Sequence, residues 1–443
     1  MPAVEQVSVG SLRAASEEPM SNRRWWGAVS GLAVAALAIR VVWVIWAARE
    51  PVGLVDPARY LSYARQIADG HGMVDVLTGR PTAYYPPGYP WFLGVVAWAA
   101  RPFTEDVALA GGLVQGTLGA LTAVLGALVG RRLAGQWAGI AAAAGLALYP
   151  NLVFHSAALL GETFYNFLFM AFLAAILVCP WKDSRATWWI AGSGILLGLA
   201  VLVRPVSLAV LPVAFLALWL AHRGGRSVAR WCVLLTLGVV ACIVPWTVRN
   251  QVRLGHPVVI STNAGDNLCI GHGPGATGTF TLRRQACDVE PNFLDGPDGE
   301  VAANSAKIRA GLRGISERPG REPWLLWSRF YYTWVRDGDH DAVQAVQSYR
   351  LDRWMAPTTE TRLVRLADVA YWFTAVLGLA GLVVLVGRRR PDDVLVVGSA
   401  VMTALVPLAF FGDSRFKVPV IPLLIVIAAA GVSHGFQTRR RRP

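Results

Sequence analysis

The sequence predicts an all-α polytopic membrane protein. Three observations predict it. Hydrophobic residues make up 54% of the 443-residue chain, and the mean hydropathy is +0.44. Charged residues are only 16%, against roughly 25% in soluble domains. Apolar runs of membrane length recur along the chain. They fall near 26–48, 107–130, 133–150, 163–181, 187–203, 205–221, 229–247, 366–387, 393–411 and 416–435, about ten spans in all. No internal repeat relates them.

The first span is longer than a signal-peptide core and follows Arg23-Arg24, so it is expected to stay as a helix with its basic flank in the cytoplasm. Residues 1–22 read as a disordered tail. A net charge of +13 would suggest nucleic acid in a soluble protein. Here most arginines cluster at the ends of apolar runs, where they orient a chain in a membrane, and nucleic acid is not an expected partner. The basic clusters Arg131-Arg132, Lys182 with Arg185, His222 to Arg230, Arg388 to Arg390 and Arg439 to Arg442 share the cytoplasmic side only if the short apolar stretch 88–101 does not cross. That stretch is therefore expected at the outer surface.

The resulting layout has a membrane module over 23–262, with a first outer loop at 49–106. An outer loop region follows at 263–365, then C-terminal spans over 366–435 and a basic tail at 436–443. Within the first loop, Tyr60, Tyr63, Ala64 and Ile67 recur at helical spacing before Gly70, which marks a short interfacial helix.

In this topology the polar residues able to do chemistry fall on one side: Asp56, Glu162, Arg204, Arg249 and the pair Asp413/Arg415. Each also has a plain structural reading. Asp56 before Pro57 is a good helix N-cap. Glu162 opens a membrane helix, where an acid complements the dipole. Arg204 and Arg249 can snorkel at an interface. Tyr84, Tyr85 and Tyr89 suit an aromatic belt or a sugar-stacking platform, and Asp75 reads as a solvated loop acid. Cys269 and Cys287 share one polar loop. A disulfide, two separate thiols and a metal site with His272 all remain open. The glycines between Gly265 and Gly278 lack the ending and flanks of a phosphate loop.

A carboxylate beside guanidiniums at a membrane surface suits sugar transfer from a polyprenyl phosphate. The attacking hydroxyl needs a base, and the departing phosphate needs cations. A transporter or flippase of lipid-linked saccharides is the alternative. It needs polar residues in mid-span, and little beyond Arg40 and Gln115 qualifies.

Several motifs go further. Asp56 occurs with Tyr60, Ala64 and Gly70-His71-Gly72. Thr82-Ala83 precedes Pro86-Pro87-Gly88-Tyr89-Pro90, and Ser156 precedes Gly161-Glu162. Gly198-Leu199-Ala200 precedes Arg204-Pro205, Pro245-Trp246 precedes Arg249-Asn250, and Arg415-Phe416 precedes Pro419. In these the chain resembles bacterial GT-C glycosyltransferases of the protein O-mannosyltransferase and aminoarabinose-transferase type (glycosyltransferase family 39/83-like). The resemblance implies a GT-C helix bundle with surface helices in the first outer loop. It implies an inverting enzyme with Asp56 as general base and Glu162 as the second-loop acid. Arg204 and Arg249 are expected at the carrier phosphate, with Tyr60, Tyr85, Tyr89, Asn250 and Arg415 completing the substrate site. A polyprenyl-phosphate-linked sugar is the expected donor, and a protein or envelope glycan the expected acceptor. No cofactor is required, and a divalent cation is possible. Pro57 follows Asp56 where many relatives carry another acid, which puts a bound divalent cation in doubt. The implied location is the bacterial inner or plasma membrane, with an extracytoplasmic site.

Overall fold

The computed structural model describes residues 20–53, 55–181, 183–281, 287, 295–335, 343, 346–347 and 354–440; the side chains of 439 and 440 are not described. Most of the expected N-terminal tail, Lys182, parts of the loop region 263–365 and residues 441–443 lie outside these.

The membrane helices come in chain order: α1 (Asn22–Ala47), then the short pair α2 (Asp56–Ala68) and α3 (Gly88–Ala100), then α4 (Val107–Ala134), α5 (Gln136–Leu148), α6 (Pro150–Phe154), α7 (Glu162–Leu177) and α8 (Ala186–Val203). A 3-10 turn, Pro205–Val210, leads into α9 (Leu211–His222) and α10 (Arg226–Leu254). The second large loop supplies α11 (Ala264–His272), α12 (Pro297–Glu317) and α13 (Glu322–Phe330). The chain closes with α14 (Pro357–Arg388), α15 (Pro391–Ala409), a 3-10 turn at Ser414–Lys417 and α16 (Ile421–Arg440).

Among the described residues, eight helices are long and apolar enough to cross a membrane. The other two expected spans are α5, of 13 residues, and α7, of 16. At 1.5 Å per residue, α5 alone reaches only about 20 Å of the ~30 Å hydrocarbon core. It is cut short at Tyr149, whose backbone turns extended ahead of Pro150, and α6 then continues the path. Breaking a helix inside an apolar bundle leaves its last carbonyls without partners. Arg40 of α1 repairs this by donating to the carbonyls of Leu146 (2.9 Å) and Ala147 (3.0 Å).

α1 and α4 run antiparallel. Arg131 of α4 bonds Asn22 at one end (2.6 Å). At the other end, Gly112 lies so close to Val44 that a Cβ there would stand 2.7 Å from its Cγ1. The chain between them therefore leaves and returns at the same end. α2 and α3 have 13 residues each, so neither crosses, as charge parity requires of 88–101.

The two ends of the bundle differ in kind. One gathers basic residues: Arg132 pairs with Asp392 (2.8 Å), and Arg388 reaches the Leu133 carbonyl (2.7 Å). The opposite end gathers both large polar loops.

Small residues set the helix spacing, since lipid supplies little hydrophobic drive between apolar helices. α8 and α10 meet at Gly194 and Gly238, where an added Cβ would lie 2.3 Å from the Leu235 carbonyl or 2.6 Å from that of Ala191. Gly238→Leu is expected to push these helices apart and cost about 1–3 kcal/mol, as overpacking does. Thermal unfolding in detergent reads it, and an unchanged midpoint would contradict the packing described here.

Candidate active site

Four segments far apart in sequence meet at the polar-loop end. The first is the start of α2. Its helix begins on Asp56, with Val55 as the capping residue and no side-chain cap bond. The N-cap reading of Asp56 therefore fails. The carboxylate turns to tertiary partners, accepting from the Tyr85 hydroxyl (2.7 Å) and from Arg415 Nη1 (2.8 Å). The second is Glu162, at the first position of α7 and fully buried. The third is Arg204, in the extended residue between α8 and the following 3-10 turn, donating to Glu162 Oε1 at 2.5 Å. The fourth is Arg415, whose Nε also donates to Glu162 Oε1. Arg415 thus bridges the two acids.

Local structure aims Arg415. Asp413 caps the short 3-10 turn by accepting from the Arg415 backbone N–H (2.9 Å). The segment leading to it is gripped by the second large loop. Gly412 N–H donates to the Gly278 carbonyl (2.7 Å), and Arg329 and His272 bond the carbonyls of Leu408 and Ala409, each at 3.0 Å. Gly271 permits the approach, because a Cβ there would fall 1.9 Å from the Phe410 carbonyl oxygen.

Exposure separates the four roles. The Asp56 side chain is 38% accessible, against 0% for Glu162, 18% for Arg204 and 20% for Arg415. Asp56 is thus the accessible carboxylate of the pair and Glu162 the buried one. Burial works against charge on Arg415, but Glu162 and Asp56 outweigh it and raise its pKa well above the ordinary value. Arg415 is therefore a fixed cation. Burial, and then the charge of Asp56, raise Tyr60 and Tyr85 above the usual phenol range, so Tyr85 serves Asp56 as a neutral donor.

The tyrosines form an inner cluster instead of an interfacial belt. Tyr60 packs edge-on against Tyr85 and Tyr89, 5.1 Å from each. Tyr89 is buried and donates to Gln115 (3.1 Å), which itself bonds the carbonyls of Ser156 and Ala158. Gln115 and the two terminal nitrogens of Arg40 bond backbone or tyrosine groups, and only Arg40 Nε is left without a hydrogen-bond partner among the described residues.

Arg249 and Asn250 are directed elsewhere. Arg249 donates to the carbonyls of Thr82 (2.9 Å) and Met73 (3.0 Å) and lies over the Trp246 ring. Asn250, fully buried, bonds the Val258 carbonyl (2.7 Å). Arg249 holds the first loop from behind, and Asn250 ties α10 to the segment that follows it. Asp75 is buried, not solvated: its carboxylate accepts from the N–H groups of Leu77 and Thr78 and shapes the turn between them.

Two residues escaped sequence reasoning. Glu300, buried on α12, accepts from Thr82 Oγ1 (2.6 Å), the Ala83 N–H (3.0 Å) and Thr262 Oγ1 (2.6 Å), locking the second loop onto the first. Neighbouring acids and amides gave no local signal for it. Its removal strands three donors. Glu300→Ala is expected to cost on the order of 3 kcal/mol and to open the loop to protease; an unaltered digestion pattern would count against this lock. His155 is buried next to the field of Glu162, and burial lowers its pKa and keeps the ring neutral. A lone histidine seven residues before Glu162 was the only hint.

Cys269 and Cys287 form a disulfide, with Cα atoms 6.0 Å apart. That removes both thiols from a metal site with His272, whose ring instead meets Arg329 and the Ala409 carbonyl.

No family model and no curated protein matches the sequence. Solved structures do match. The archaeal oligosaccharyltransferase AglB of Archaeoglobus fulgidus, in complex with zinc and sulfate, superimposes with a TM-score of 0.54 at 14% identity, over 92% of this chain and 49% of that one. The same enzyme with an inhibitory peptide and a dolichol-phosphate gives 0.54 at 13% identity, over 94% and 51%. The protein has the GT-C fold. ArnT of Cupriavidus metallidurans bound to undecaprenyl phosphate overlaps with a TM-score of 0.42 at 18% identity, over 93% and 78%. The chain spans about half the length of the archaeal enzyme.

The zinc of that archaeal complex invites a test of fit. Two carboxylates meet two guanidiniums here, so their formal charges already cancel. Arg415 takes Asp56 Oδ2 and Glu162 Oε1, while the buried Glu162 Oε2 and His155 Nε2 have no hydrogen-bond partner among the described residues. Among the described residues no group of three or more His, Cys, Asp or Glu side chains converges. Two guanidiniums fixed on Glu162 Oε1, one of them also on Asp56, oppose a divalent cation at those oxygens.

Proposed function

We propose that the protein is an inverting glycosyltransferase that moves a sugar from a polyprenyl-phosphate carrier to an acceptor hydroxyl. The observation behind this is the Arg415 bridge between an open Asp56 and a buried Glu162, with Arg204 alongside. It offers a base and two cations within one site.

Asp56 takes the proton of the acceptor hydroxyl as that oxygen attacks the anomeric carbon. The bond from the anomeric carbon to the phosphate oxygen breaks, and its electrons leave with the carrier as polyprenyl phosphate. A single displacement inverts the anomeric centre. Arg204 spends one donor on Glu162, and its other N–H groups have no partner among the described residues, so they are available to the departing phosphate. Glu162 holds both guanidiniums in place. No step requires a metal. The tyrosine cluster positions Asp56 through Tyr85, and the lock at Glu300 keeps the second loop over the site, where it selects the acceptor.

The dolichol-phosphate and peptide named with the archaeal enzyme support a lipid phosphate and a protein acceptor as candidates for this chain. An envelope glycan hydroxyl is the other acceptor class. The Cys269–Cys287 disulfide and the basic residues of the opposite end favour an extracytoplasmic site in a plasma membrane. Flipping of lipid-linked sugar is disfavoured, since Arg40 and Gln115 are committed to backbone carbonyls.

Photoaffinity labelling with a polyprenyl phosphate bearing a reactive group near its phosphate tests the donor assignment. Labelling is expected near Arg204 and to fall when Arg204 becomes Met; labelling that ignores this change would refute it.

A further inference from the structure

We propose that Arg415 is a built-in cation occupying the place where a divalent metal would otherwise bridge Asp56 and Glu162, so that the native chain excludes metal from this site and acquires a metal site when the guanidinium is removed. The fold is shared with an enzyme whose complex contains zinc, which makes the point a difference to be explained.

One cation touches both carboxylates. Arg415 offers Nη1 to Asp56 Oδ2 at 2.8 Å and Nε to Glu162 Oε1. Its planar fork spans two separate acceptors, which an ammonium cannot do with fixed geometry. Glu162 Oε1 receives Arg204 as well, so an added dication would meet two fixed positive charges in a buried setting. Removing Arg415 alone leaves two carboxylates facing one guanidinium. His155 is then a further nearby donor. Its Nδ1 bonds the Asn151 carbonyl at 2.8 Å, leaving Nε2 as the available nitrogen of a neutral ring. The charge and the donors needed for a cation would be present together.

Asp413 and the grip of the second loop on 408–412 gain a purpose from this. A metal finds its own position, but a side-chain cation must be aimed. The capped 3-10 turn aims it.

The binding part of this inference is independent of the proposed reaction; only its kinetic arm rests on that reading. The full chain in detergent, stripped with a chelator, is titrated with Mn2+ and followed by electron paramagnetic resonance. The native chain is expected to show no stoichiometric site. Arg415→Ser is expected to bind one Mn2+ at least on the order of a hundredfold more tightly, and Asp56→Asn in that background to abolish the site. One Mn2+ bound by the native chain and lost in Asp56→Asn would overturn the proposal, as would a folded Arg415→Ser chain that binds none. In the kinetic arm, native turnover is expected to be indifferent to chelator and to added Mn2+. Turnover lost to chelator and restored by Mn2+ would likewise overturn it. Should Arg415→Ser prove unfolded, the native titration decides alone. A chain that takes no Mn2+ and transfers no sugar under any condition would sustain the binding inference while refuting the proposed reaction.

Discussion

Asp56→Asn is expected to lower sugar transfer by at least about a hundredfold, the lower bound for loss of a positioned general base, while the protein stays folded. The geometry separates the two effects. The side chain is 38% exposed and caps no helix, and Glu162 still holds Arg415 when the Asp56 charge is lost, so folding is expected to survive the change. An asparagine still offers one oxygen to Tyr85 or Arg415. What it loses is basicity toward the incoming hydroxyl. Rates and thermal unfolding measured on the same preparation test this pairing. Turnover within a few-fold of the native value would remove Asp56 from the mechanism.

Glu162→Ala is expected to fail in the opposite order, through stability first. Glu162 is fully buried and holds both Arg204 and Arg415 through one oxygen. Its removal leaves two guanidiniums near each other without a counter-charge, and breaking a buried ion pair from one side costs about 3–5 kcal/mol. The unfolding midpoint should fall, and transfer should fall with it, because both cations lose their aim. A variant with native stability and impaired turnover would make Glu162 a direct participant in the chemistry.

The contrast explains what the sequence could reveal. The basic clusters mark one side of the membrane, and Asp56, Glu162, Arg204, Arg249 and Arg415 fall together on the other, so they stand out as a set in the sequence. The spans were legible because a membrane-length apolar run has few other uses. The break at Tyr149 and Pro150 was harder to place, since its repair by Arg40 comes from another helix. The partners of Arg249 were not legible for a simple reason. An arginine at a membrane surface reads the same whether its donors meet phosphate oxygens or the carbonyls of Met73 and Thr82. Glu300 was invisible because its partners lie 217 and 218 positions away in the first loop. Asp75 looked like any loop acid until its turn was seen. The tyrosine spacing marked an amphipathic helix correctly but could not say that its aromatic face looks inward to Asp56.

The central claim is that this end of the bundle transfers a sugar from a lipid phosphate with Asp56 as base. Purified protein in liposomes containing a radiolabelled polyprenyl-phosphate sugar, supplied with acceptor hydroxyls of both classes, tests it most directly. The account predicts label joined to acceptor with inverted anomeric configuration, free polyprenyl phosphate in equal amount, and neither with Asp56→Asn. Label that crosses the bilayer still attached to its carrier, or transfer that continues without the Asp56 carboxylate, would contradict it.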